Sequence, residues 1–138
     1  MSAAAKKLDR VTEDGIRGLV DAFYAKVRAD AEIGPVFARV IPGDDWQPHL
    51  DKMYAFWSSV MLMSGRYKGN PVIKHTMITG MQPAMFARWL ALFHETCGER
   101  FEAAICAEFR IKSERIAESL KIAMFYRPDR AWPREAIA

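Results

Sequence analysis

The sequence predicts an all-α chain folded as a single domain, and three observations carry that expectation. Apolar residues recur at helical spacing along most of the 138 residues. No stretch sustains the period-two alternation of a half-buried strand. Gly, Pro and Asn gather at a few breaks between the periodic stretches, as connections between helices require. The length suits one domain spanning 1–138, with its core over about 12–124 and a loose tail over 127–138.

The first helix is expected over 12–29, where Ile16, Val20, Phe23 and Val27 share a narrow stripe with Leu19 and Tyr24 at its edges. Thr12 reads as its N-cap, and Glu13 and Asp14 place carboxylates where the helix dipole favours them. A short helix follows through "IGPVFARV", since Gly34-Pro35 is tolerable only near a helix start. Asp44 followed by Gln47 resembles a capping box opening the next helix, with Pro48 in the first turn. That helix is expected to reach about Ser64, its inward face carrying His49, Met53, Phe56 and Val60 beside Leu50, Trp57 and Met61. "SGRYKGNP" reads as a loop, and "VIKHTMI" (72–78) is a segment too short to hold a helix without tertiary packing. After "TGMQP", Pro83 opens a helix with Phe86, Trp89, Leu90, Phe93 and Cys97 on one face. The last helix is expected over about 100–124, with Ile105, Phe109, Ile116, Leu120 and Ala123 inward, stopped by Arg127-Pro128.

Composition narrows the function. Eight methionines, eight phenylalanines, four tryptophans and four tyrosines make a bulky, adaptable interior able to line a cavity for a flat apolar ligand. The net charge is only +3 with both signs interleaved, so no nucleic-acid surface is expected. Cys97 and Cys106 are too few for a disulfide framework and lack zinc-site spacing; they read as reduced core residues of a cytoplasmic protein. No signal-like run or membrane span is expected. There is no Gly-rich phosphate loop, no HExxH and no Gly-x-Ser-x-Gly.

Four residues invite a functional reading. His75, flanked by Val72, Ile73 and Ile78, is either a half-buried histidine satisfied by a backbone carbonyl or an inward iron ligand; position alone favours the former. His49 lies on the inward face of a different helix, balanced between core edge and pocket. Tyr24 sits at the margin of an apolar stripe, with its ring inward and its hydroxyl either in water or in a pocket. Trp89 faces inward, where its indole N–H needs an acceptor. His94 and Cys97, three apart, form only a weak metal pair without further ligands.

Together, "FYAKVRADAEIGPVF" (23–37), "DWQPHLDKMYAFWSSVMLMSGRYKGNPVIKH" (45–75), "FARWLALF" (86–93) and "RIAESL" (115–120) resemble the group III truncated haemoglobins over about 12–124. The resemblance implies a shortened globin, a two-over-two helical sandwich around one haem b. It makes His75 the proximal iron ligand, His49 the distal histidine and possible sixth ligand, Tyr24 the distal tyrosine and Trp89 the tryptophan facing the bound gas. It also places Phe23, Phe37, Met53, Phe56 and Trp57 around the porphyrin and distal pocket. Val72 and Ile78 would help wall the haem, and Arg66, Tyr67 and Lys74 are the expected donors to its propionates. Two positions depart from the pattern: Ala31 stands where proline is common, and Ile78-Thr79 where Leu-Pro is common.

The implied function is binding of O2, NO and CO at iron, by a monomer or weak homodimer in the cytoplasm. The alternatives are a haem enzyme, NO-dioxygenating or peroxidase-like, and a cofactor-free helical interaction module. The enzyme would need an external reductase, because the chain has no flavin or nicotinamide motif.

Overall fold

The computed structural model describes residues 6–69 and 82–125. Within them run five α-helices: α1 Glu13–Ala29, α2 Gly34–Val40, α3 Trp46–Leu62, α4 Pro83–Arg100 and α5 Ala103–Phe125. The chain is all-α among the described residues, and its four long helices pack as a sandwich of two pairs. α1 packs on α3 at one side and on α4 at the other, and α4 packs along α5.

Local chemistry explains most boundaries. Thr12 is extended (φ −130°, ψ 165°), and its hydroxyl accepts from the Gly15 amide at 3.0 Å, so α1 is capped as expected. Its stripe of Ile16, Leu19, Val20, Phe23, Tyr24 and Val27 is buried throughout. Asp30 then turns the chain. Its carboxylate accepts the amides of Glu32 and Ile33, both at 3.0 Å, and ties the corner to Arg88 of α4 at 2.7 Å. Gly34 opens α2 so close to α1 that a Cβ there would lie 3.0 Å from the Arg28 carbonyl oxygen.

Three expectations change. No capping box opens α3. A 3-10 turn, Gly43–Asp45, runs straight into the helix, and the N-cap is Asp45 with helical dihedrals (φ −93°, ψ −2°) and no side-chain cap. The N3 position is Pro48, which has no amide to offer, so a box cannot close; Gln47 instead donates to Asp51 at 2.9 Å. α3 ends at Leu62 rather than Ser64, because Met63 adopts the left-handed conformation (φ 55°). Arg100 ends α4 instead of starting α5. Phe101 is extended and buried, bridged in parallel to Leu8, so the last two helices are separated by a corner. The expected tail over 127–138 lies outside the described residues.

Phe93 holds the sandwich together. It is fully buried and meets one aromatic ring from each other long helix: Phe23 edge-on at 5.2 Å, Trp57 stacked at 4.8 Å and Phe109 at 6.1 Å. Truncating a core ring of this kind costs about 3–5 kcal/mol. Lys26 adds a surface tie from α1 to Glu95 and Glu99 of α4, at 2.8 and 2.7 Å; exposed pairs of this sort contribute only about 0.2–1 kcal/mol each.

Asp30 makes a pH-dependent contribution. The Arg88 hydrogen bond, then the Ile33 amide, hold its carboxyl below the usual carboxylate range. A lowered folded-state pKa stabilises the fold above the unfolded value, about 3.9, and that contribution is lost as pH falls through the folded value. Asp30→Asn should therefore lower the urea midpoint at pH 7, and the gap from wild type should narrow markedly at pH 3. An equal gap at both values would show that the charge on Asp30 is immaterial.

Candidate functional site

The sandwich encloses a cavity of about 580 Å³ between its two helix pairs. Every described helix contributes to it. Tyr24 comes from α1; Val36, Phe37 and Val40 from α2; His49, Lys52, Met53, Phe56 and Trp57 from α3; Phe86 and Trp89 from α4; and Ile116 and Leu120 from α5. Tyr67, on the segment after α3, closes one side and meets Phe56 edge-on at 5.2 Å. The expected inward face of α3 is thus divided. His49, Met53 and Phe56 are half-buried because they line the cavity, while Tyr54, Trp57 and Ser58, rotated toward α1, are buried.

Polar groups are few. Tyr24 is buried at 6 % exposure, and its ring is framed edge-on by Phe23 at 4.9 Å, His49 at 4.9 Å and Trp46 at 6.0 Å. Burial alone raises the pKa of its phenol, so the hydroxyl stays protonated and serves as a donor at neutral pH. His49 also meets Trp46 edge-on at 5.6 Å, so its ring is held in a fixed aromatic corner above the cavity. Trp89 is fixed by parallel stacking on Phe93, at 5.6 Å and 1° between planes. Among the described residues, exposed Asp45 and Lys52 supply the only ionised side chains on the wall.

The sequence-predicted residues divide into three groups. Tyr24, Phe37, His49, Met53, Phe56, Trp57, Tyr67 and Trp89 all reach the cavity. Phe23 does not: it lies behind the wall at 1 % exposure, supporting Tyr24 and Trp89 edge-on at 4.9 and 5.5 Å. Arg66 is drawn elsewhere, because its guanidinium donates to Glu13 at 2.6 Å in a network that includes Ser58 and Ser64. Val72, Lys74, His75 and Ile78 lie outside the described residues.

Sequence reasoning missed Val36, Val40, Ile41, Phe86, Ile116 and Leu120 as wall residues, because apolar spacing does not separate a cavity wall from core. It also missed Lys52, whose one available signal is its place three residues after His49 on the same helix side. The His94–Cys97 pair gains no third metal-ligating side chain among the described residues. His94 Nε2 lies 3.3 Å from the Ser113 hydroxyl.

A model of the bacterial-like globins matches residues 11–125. The chain belongs to that family. Within it, the chain is 35 % identical over 92 residues to the group 3 truncated haemoglobin ctb of Campylobacter jejuni, an alignment covering 65 % of this chain and 72 % of that protein. The crystal structure of the group III truncated haemoglobin from Campylobacter jejuni superposes with a TM-score of 0.80 at 27 % identity, covering 88 % of this chain and 97 % of that one. This globin is therefore a group III truncated haemoglobin, and the family indicates a haem protein that binds diatomic gases such as O2.

The cavity suits the haem of this globin family. Its volume falls within the range of about 300–1,000 Å³ usual for cofactor pockets. Its wall is mostly aromatic and aliphatic, as a flat macrocycle requires, and Lys52 and Tyr67 provide donors for carboxylates. No helix among the described residues is long and apolar enough to cross a membrane.

Proposed function

We propose that this globin binds haem b, with His75 as the proximal iron ligand and Tyr24, Trp89 and His49 governing O2, NO and CO on the opposite side. The observation that carries this reading is Tyr24. A buried phenol that stays protonated lines the cavity and is held at fixed orientation by four aromatic neighbours, Phe23, Phe37, Trp46 and His49.

Haem iron supplies an open coordination position at which a diatomic gas binds reversibly. The chain does the rest. The Tyr24 hydroxyl donates a hydrogen bond to the polarised ligand, and the Trp89 indole N–H, locked by stacking on Phe93, is the second donor. His49 stands beside Tyr24 and narrows the approach, and its imidazole would be a nitrogen donor to the iron when no gas is bound. Met53, Phe56 and Trp57 exclude water from the porphyrin face, which slows oxidation of the iron. Lys52 and Tyr67 hold the propionates, taking the role the sequence suggested for Arg66, whose charge Glu13 neutralises.

Tyr24→Phe and Trp89→Phe should each raise the O2 dissociation rate about tenfold, since a hydrogen bond to a charged partner contributes roughly 1.5–3 kcal/mol and 1.4 kcal/mol is tenfold. Stopped-flow measurement showing wild-type rates in both variants would remove them from the mechanism. His75→Ala should lose haem while keeping its helix content by circular dichroism. If that variant kept wild-type haem affinity and an unchanged ferrous spectrum, the proximal assignment would be wrong.

A further inference from the structure

A second cavity, of about 470 Å³, lies at the corner between α4 and α5, apart from the haem pocket. Cys97, Phe101 and Cys106 give it an apolar floor. Lys7, His94 and Arg110 also line it, and no carboxylate among the described residues does.

The fold places these basic groups deliberately on one side of the corner. The Leu8 amide donates to the Arg100 carbonyl at 3.0 Å, and the Glu102 amide donates to the Leu8 carbonyl at 2.9 Å. This bridge holds the N-terminal segment against the corner and so keeps Lys7 at the cavity. His94 is half-buried on α4, with Nε2 3.3 Å from the Ser113 hydroxyl, while Arg110 approaches from α5. Burial first, then the charge of Arg110, hold the His94 pKa below its ordinary value, with Glu114 of α5 opposing. The Cys97 thiol does not supply a counter-charge. Burial pushes Cys97 up to about 12, and the Cys106 thiol donates to the carbonyls of Cys97 and Phe101 at 3.2 and 3.3 Å.

We propose that this cavity binds a small amphipathic carboxylate, a short-chain organic acid whose tail covers the cysteine and phenylalanine floor and whose carboxylate meets Arg110, Lys7 and His94. Arg110 offers a fork of donors matched to a carboxylate, Lys7 a mobile ammonium, and His94 a group that becomes a better partner once protonated. A bare inorganic anion would leave the apolar floor uncovered. A neutral chain would forgo the charge-assisted hydrogen bonds that the exposed Lys7 and Arg110 offer.

The test uses the full-length, haem-loaded ferrous–CO protein, titrated with hexanoate at pH 7 while the His94 ring signals are followed by NMR. Hexanoate should shift those signals saturably and raise the His94 pKa toward its ordinary value. Hexanamide and inorganic phosphate should each bind about tenfold more weakly or worse, and Arg110→Ala should weaken hexanoate by a similar factor. Ala107→Trp, placed from the exposed edge of the cavity, should abolish the His94 response while leaving the CO spectrum and helix content unchanged. The proposal fails if His94 does not respond saturably, or if phosphate matches hexanoate. It fails equally if hexanoate perturbs only the haem band, or if Ala107→Trp responds as wild type does.

Discussion

One phenylalanine constrains the whole molecule. Phe93 contacts a ring from each of the other long helices, so the distances between α1, α3, α4 and α5 are all set around a single buried side chain. A close-packed interior tolerates little change of volume at such a point. The cavity follows from this arrangement. Trp57 and Trp89 both stack on Phe93 and both present their other side to the cavity, so the core and the pocket wall share the same rings. Phe23, behind Tyr24 and Trp89, transmits the same constraint to the two proposed hydrogen-bond donors.

The polar design is sparse by comparison. Tyr24 gains its chemical character from burial, not from a charged partner. A phenol kept neutral in an apolar setting donates without competing water, where a hydrogen bond is electrostatically stronger than in solvent. The charged residues serve mainly to hold the frame: Asp30 joins the α1–α2 corner to α4, Lys26 joins α1 to α4, and Glu13 secures the segment that carries Tyr67. Each tie spans a pair of elements far apart in the chain, and each keeps a wall of the cavity in register.

Much of this was legible in the sequence, for identifiable reasons. The stripe of α1 has a strong period and a clear start at Thr12, so its buried face follows directly; in α4 Pro83 marks the start, but Leu92 and Thr96 are buried while Trp89 and Leu90, expected inward, are half-buried. The capping box was misread because the pattern Asp44–Gln47 ignores which residue becomes N3, and Pro48 there has no amide. Arg66 pairs with Glu13, which lies 53 positions away, and no local rule reveals that contact. Ile116 and Leu120 read equally well as core or as wall, since the two environments demand the same apolar residues. The second cavity is not legible in the sequence because its basic groups come from three separated segments, Lys7, His94 and Arg110, which the Leu8–Phe101 bridge and the α4–α5 corner bring together.

The proposed function rests on a single haem held in the cavity beside Tyr24 and able to bind gas at its iron. Absorption spectra recorded while haem is added to the protein, in ferric, ferrous and ferrous–CO forms, test it most directly. The account predicts saturation at one haem per chain and a Soret band that moves when CO is admitted to the ferrous form. Protein that takes up no haem saturably, or a ferrous spectrum indifferent to CO, would contradict it.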